Sequence, residues 1–157
     1  MQNARPTAGI ILASKRELCS RLGGEAHWGG LALSRLLIVD DNDSVLFAMR
    51  GYFDNLGYSV ECARTENDAR DHLAAEPYDA VVSDLSLTPG NTEGLEVVKW
   101  ARERCPGARI LVLTAYGTPE NEAEARRLGV DAFLRKPVRL SDLHKLLEDL
   151  GHQYSDP

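Results

Sequence analysis

Five times between residues 35 and 151 a short apolar run is followed by an amphipathic stretch, and this alternation restricts the architectures open to the chain more than any other feature. Residues 36–39 (LLIV) have the length and branching of a buried strand. Residues 43–56 then carry Val45, Leu46, Met49, Phe53 and Leu56 at helical spacing and stop at Gly57, a helix C-cap signal. Residues 58–63 alternate as a half-buried strand does, and Thr65 caps a helix to residue 75 that Pro77 cannot let continue. A third strand over 78–83 precedes a helix over 94–104, with Leu95, Val97, Val98 and Ala101 on one face, and a fourth strand follows over 109–113. Thr118 and Pro119 open the fourth helix, which Gly129 ends. Residues 132–135 form the fifth strand. Ser141 is expected to cap a last helix with Leu143, Leu146, Leu147 and Leu150 in one stripe, and Gly151 to end the fold.

Strand and helix repeated five times imply a parallel sheet, because parallel neighbours need crossover connections, and right-handed crossovers place helices on both faces. The reading is an α/β, doubly wound, five-stranded parallel sheet with the flavodoxin-like order 2-1-3-4-5, although periodicity alone leaves other orders open. Residues 1–34 differ in character: Gly23, Gly24, Gly29 and Gly30 interrupt them, and Arg5, Lys15, Arg16 and Arg21 outnumber Glu17 and Glu25. They are expected to be a weakly ordered extension, 35–151 the folded domain and 152–157 a short tail.

Ligands of such sheets sit outside the carboxyl ends of the strands. There the chain places Asp40 and Asp41 after strand 1, Asp84 after strand 3, Thr114 after strand 4 and Lys136 after strand 5. Strands lie about 4.8 Å apart, so in the order above Asp84 is central: a short threonine can reach its neighbourhood from strand 4, whereas strand 5 lies about 10 Å away and needs a long side chain such as lysine. Three carboxylates so close repel by roughly 4 kcal/mol per pair at 4 Å and an effective dielectric of 20. A bound cation or a retained proton must relieve this. Magnesium, or manganese in its place, suits oxygen ligands together with phosphate oxygens. Asp43 reads as a helix-start residue alone.

The net charge of -6 argues against a binder of nucleic acid that works by phosphate neutralisation, and no apolar run approaches the roughly 20 residues of a membrane span. Cys19, Cys62 and Cys105 share no metal-ligand spacing and are odd in number, which suits reduced thiols in a cytoplasm. The apolar stretch 8–13 is short and precedes Lys15 and Arg16, the reverse of a secretion signal. His27, His72, His144 and His152 stand in no phosphotransfer context and are expected to face solvent.

Asp40-Asp41, Asp84, Thr114-Ala115 and Lys136-Pro137, in this order over five strand-helix units, resemble the receiver domain of bacterial two-component response regulators, over about residues 35–151. The resemblance implies that Asp84 accepts a phosphoryl group from a sensor histidine kinase or a histidine phosphotransfer protein, with assistance to its own phosphorylation and dephosphorylation but no classical enzyme activity. It implies a metal held by Asp40, Asp41, Asp84 and the backbone carbonyl of Ser86, phosphoryl oxygens held by Lys136, by the Thr114 hydroxyl and by the Ala115 N–H, and a cis peptide before Pro137. Thr114 and Phe133 would act as the switch pair, the ring moving inward as the threonine is drawn to the phosphate. The signal would leave through the face made by the fourth helix, fifth strand and fifth helix, which would also serve any homodimer. With residues 152–157 alone after the last helix, a stand-alone receiver is expected, acting on a downstream protein that the sequence does not identify.

One stretch departs from the pattern. The family commonly has a proline four and a glycine eight residues past the acceptor, whereas SDLSLTPGNTEGLEV places Pro89 five and Gly94 ten past Asp84, so the loop is two residues longer. Tyr116, two residues past Thr114, is bulky enough to shield an acyl phosphate from water. Two other readings compete. A haloacid-dehalogenase-like phosphatase would use Asp41 and Asp43, with Thr114 and Lys136 in support, but needs further acidic ligands from among Asp142, Glu148, Asp149 and Asp156. A receiver-like scaffold would bind a partner without phosphorylation. A calcium loop in DDNDSV fails for want of its sixth-position glycine and twelfth-position glutamate.

Overall fold

The computed structural model describes residues 34–153, so expectations for residues 1–33 and 154–157 lie outside the described residues. The elements are β1 (Arg35–Val39), α1 (Asp43–Asn55), β2 (Ser59–Ala63), α2 (Glu66–Ala75), β3 (Ala80–Asp84), α3 (Glu93–Arg104), β4 (Arg109–Thr114), α4 (Pro119–Arg127), β5 (Ala132–Arg135) and α5 (Leu140–Gln153). All strand pairs are parallel, in the order β2-β1-β3-β4-β5. This is the doubly wound fold expected of the alternation.

Side chains alternate across each strand, so one apolar run supplies two cores. Leu37, Val39, Val81, Ile110, Val112 and Phe133 face Ala69 and Leu73 of α2, Val97, Val98 and Ala101 of α3 and Ala125 of α4. Leu36, Ile38, Val82, Leu111 and Leu113 face Leu46, Met49 and Phe53 of α1 and Leu143 and Leu147 of α5. Both sheet faces are therefore covered, and the central strands read as unbroken apolar stretches for that reason. Each fully buried aliphatic side chain contributes about 1.5–3 kcal/mol.

The helix ends show where local chemistry decides. Asn42 caps α1, its Oδ1 accepting from the amides of Ser44 and Val45 at 2.9 and 3.2 Å. Thr65 caps α2 through the Asp68 amide, and Thr118 forms a capping box with Asn121. Gly57 and Gly129 close α1 and α4 with φ of 93° and 96°, a conformation other residues rarely adopt.

Two expectations about α5 are corrected. Ser141 lies inside its first turn and is not the cap: the carbonyl of Arg139 accepts the first amides, from Asp142 and Leu143. Nor does Gly151 end the helix, which continues to Gln153. A Cβ at Gly151 would meet Nη1 of the buried Arg109 at 2.7 Å, so glycine stands there for close approach and not as a stop signal.

Candidate phosphoacceptor site

Strand ends converge at one rim. Asp40 directly follows β1 and is 3% exposed; its Oδ1 accepts from the Asn42 amide at 2.9 Å and its Oδ2 from Lys136 Nζ at 2.9 Å. Asp41 beside it is exposed. Because Asn42 caps α1, neither carboxylate is consumed in starting the helix, and Asp43 instead meets Arg64 at 3.0 Å.

Asp84 ends β3. Its Oδ2 accepts from Lys136 Nζ at 3.3 Å and its Oδ1 from the Ser86 amide at 3.3 Å. Burial raises the pKa of this carboxyl; Lys136 opposes the shift and the Asp40 charge adds to it. For Lys136, burial alone would lower the ammonium pKa, but the hydrogen bond and charge of Asp40, with Asp84, outweigh it and hold the pKa above its ordinary value. The lysine is thus a fixed cation, and it spans from β5 across β4 to the end of β3.

Asp40, Asp41 and Asp84 each offer a carboxylate oxygen, and these oxygens lie within 4.8 Å of one another. Three carboxylates against one ammonium leave two negative charges in excess, in a setting of hard oxygen donors of graded exposure, so the residues fit a divalent cation of the magnesium type. Asp142, Glu148 and Asp149 are not in this grouping, and Glu148 and Asp149 instead pair along α5 with His144 at 3.8 Å and Lys145 at 3.9 Å. The additional acidic ligands that a dehalogenase-like site needs are not brought together among the described residues.

Thr114 closes β4, one residue past Leu113, the strand partner of Asp84. It is 2% exposed; its Oγ1 accepts from the Tyr116 amide at 3.1 Å, which leaves its own O–H proton to donate, and its carbonyl accepts from the Lys136 amide at 2.8 Å. Ala115 is exposed, as is Tyr116 at 91%. The Lys136-Pro137 peptide is cis. Phe133 is buried, and its ring lies against the backbone of Gly117.

Two residues shape the long loop in ways that the linear pattern did not reveal. Glu93, the first residue of α3, folds back so that Oε1 accepts from the amides of Leu87 and Thr88, both at 3.2 Å. Slight burial would raise its pKa, yet these hydrogen bonds hold it below the ordinary range. Gly94 packs so tightly that a Cβ would stand 2.2 Å from the Asp84 carbonyl oxygen and 2.8 Å from the Leu85 Cα. The family-like glycine after the acceptor was visible in the sequence, but its reason is this contact between backbones. An acidic residue just after a Pro-Gly turn was the available signal for Glu93.

The expectation for His144 is corrected in part: it is half-buried, its ring packing against those of Phe53 and Tyr58 at 6.2 and 5.9 Å. Cys62 is half-buried and Cys105 buried, with Cys105 Sγ accepting from the Tyr78 amide. No described helix is long and apolar enough to cross a membrane.

Comparison with known proteins agrees with this geometry. The family model for the response regulator receiver domain matches residues 36–148. The photosynthetic apparatus regulatory protein RegA of Rhodobacter capsulatus is 34% identical over 122 residues, which cover 78% of this chain and 65% of RegA. The chain accordingly spans less than two thirds of the length of this relative. A CheY-like response regulator receiver domain protein from Methanospirillum hungatei JF-1 superposes with a TM-score of 0.72 at 29% identity, covering 80% of this chain and all (100%) of that one. A response regulator from Burkholderia pseudomallei, crystallised with a phosphorylated aspartic acid, a calcium ion and citrate, gives a TM-score of 0.68 at 25% identity over 78% of this chain and 71% of its own. With the sheet order, the acidic rim and its lysine on one side and the matched 36–148 on the other, the chain belongs to the response regulator receiver domain family.

Proposed function

We propose that Asp84 is the phosphoacceptor of a cytoplasmic receiver that takes a phosphoryl group from a sensor histidine kinase or a histidine phosphotransfer protein. The observation that carries this reading is the single ammonium of Lys136 lying within hydrogen-bond distance of both Asp40 and Asp84. In the transfer, a carboxylate oxygen of Asp84 attacks phosphorus, the bond from phosphorus to the imidazole nitrogen breaks with its electron pair going to nitrogen, and an acyl phosphate forms.

Such a reaction asks the protein mainly for position and charge neutralisation. Lys136 would neutralise one phosphoryl oxygen. The Thr114 hydroxyl, whose oxygen already accepts from the Tyr116 amide, would donate its proton to another, with the Ala115 N–H beside it. Asp40, Asp41, Asp84 and the Ser86 carbonyl would hold Mg2+ or Mn2+, which when bound supplies positive charge against the phosphoryl oxygens. The phosphorylated aspartic acid and calcium ion of the Burkholderia regulator support both assignments.

Thr114 and Phe133 would form the switch, altering the face of α4, β5 and α5 toward a downstream protein or a second copy of the chain; no role in binding nucleic acid or a membrane is proposed. Residues 1–34 are proposed to be an extension outside the receiver, and the receiver to run from residue 35 through the end of α5. The test is incubation of the full chain with Mg2+ and phosphoramidate, whose phosphorus-nitrogen bond mimics phosphohistidine. The expected result is an acid-stable, base-labile gain in intact mass that Asp84→Asn abolishes; a gain that survives Asp84→Asn contradicts the assignment.

A further inference from the structure

The loop between β4 and α4 contains a glycine with no conformational reason to be one: Gly117 is absent from the positive-φ glycines, which are Gly57, Gly90 and Gly129. Its reason is space. A Cβ built on it would stand 2.7 Å from Cγ2 of Thr114, closer than real Cβ contacts come, and 3.0 Å from Cε1 and Cζ of Phe133, tighter than most. Gly117 therefore forms the wall against which the threonine methyl and the phenylalanine ring both rest. Its carbonyl in turn accepts from Arg135 Nη1 at 3.0 Å, and Arg135 is two residues beyond Phe133 on β5, hence on the same side of that strand.

We propose that Gly117 is a positioning residue for the phosphorylation-linked rearrangement: its missing side chain creates the seat in which the Phe133 ring lies inward beside Thr114, and Arg135 fastens the loop over that seat. This rests on the reading of Asp84 as acceptor and of Thr114 with Phe133 as the switch. A methyl group at 117 would overlap both contacts. Thr114 is β-branched, 2% exposed and held at the end of a strand, so its methyl keeps its place, residue 117 backs away from it with the loop, and the Phe133 ring, at 9% exposure, is the side chain that shifts with it. An arrangement favoured by phosphate at Asp84 must favour phosphate in return, so displacing the ring weakens binding at the acceptor some distance away.

The probe is beryllofluoride with Mg2+, a phosphate mimic, titrated into the full chain. Gly117→Ala is expected to bind it about tenfold more weakly or worse, overpacking of a filled site being of that order. Mg2+ affinity alone should stay unchanged, and adding Phe133→Leu, which shortens the displaced side chain, should restore most of the loss. Arg135→Ala should weaken binding roughly three- to fivefold, the scale of one lost hydrogen bond, and Arg135→Lys should recover part of it. Beryllofluoride affinity unchanged or tighter in Gly117→Ala, a parallel fall in Mg2+ affinity, or no rescue by Phe133→Leu would each overturn the inference. A native chain that binds no beryllofluoride would instead sink the acceptor reading and this inference with it.

Discussion

Lys136 Nζ stands 3.3 Å from Asp84 Oδ2, although the two residues are 52 positions apart and lie on strands separated by β4. The contact follows from topology: strand order brings the two ends to one rim, and only a side chain of lysine's length closes the gap. In the free protein the ammonium stabilises the Asp84 carboxylate; in the proposed transfer it would neutralise the phosphoryl group instead.

Replacing Lys136 with alanine should therefore slow phosphorylation by about 10²-fold or more, the usual cost of removing one fixed donor from a developing charge. Single-turnover phosphorylation by acetyl phosphate, followed by intact mass, checks this. The buried Asp40 would be left without its lysine partner, so Lys136→Ala should also lose some stability, and urea denaturation of the same variant separates that loss from the slower transfer.

Asp84 also makes a stability prediction whose sign is set by its pKa. Burial raises that pKa in the folded chain, so the folded state holds the proton more tightly than the unfolded one. Stability is then lost as pH rises from about 3.9, the unfolded value, through the higher folded value, and it stays lost above. In EDTA at pH 7, Asp84→Asn should be more stable than the native chain, and the difference should vanish near pH 3. Urea denaturation at the two pH values measures it. Adding Mg2+ should raise the melting temperature of the native chain more than that of Asp84→Asn.

The long loop after the acceptor yields a paired prediction. Gly94→Ala forces a methyl against the Asp84 carbonyl and the Leu85 backbone, which cannot rotate aside, and should cost about 1–3 kcal/mol while slowing phosphorylation. Glu93→Gln should cost less, a few tenths of a kcal/mol at this partly exposed site. The Glu93 pKa is lowered in the fold, so its contribution is present above the unfolded value near 4.3 and fades as pH falls through the folded value. Denaturation curves at pH 7 and pH 3 distinguish the two variants.

Tyr116 is 91% exposed beside Thr114, free to turn over the acceptor once it is modified. Tyr116→Ala should hasten hydrolysis of the acyl phosphate by about twofold or more, because water gains access. Following loss of the phosphoryl mass after removal of the donor tests this, and an unchanged rate discards the shielding role.

How much of this was legible in the sequence depends on whether the cause was local. Leu36 to Val39 and the apolar runs like it announce buried strands because both sheet faces are covered, and Asp40, Asp84, Thr114 and Lys136 stand out as polar groups at the ends of those runs. Caps such as Thr65 and Thr118 act within four residues and could be read directly. Gly94, Gly117 and Gly151 owe their identity to atoms distant in the chain or on another element, and no pattern along the chain carries that information. Ser141 misled for the opposite reason: a good capping residue lost its place to the Arg139 carbonyl, two residues earlier. His144 was drawn among Phe53 and Tyr58 by the packing of α5 on α1, a contact between the two ends of the fold.

Peptide mapping by mass spectrometry after exposure to acetyl phosphate and Mg2+ tests the central claim most directly. The account predicts one base-labile phosphoryl group, on Asp84, that appears with Mg2+ and fails to appear in EDTA. A phosphoryl group on any other residue, or a native chain that stays unmodified while its Mg2+ site is filled, would contradict it.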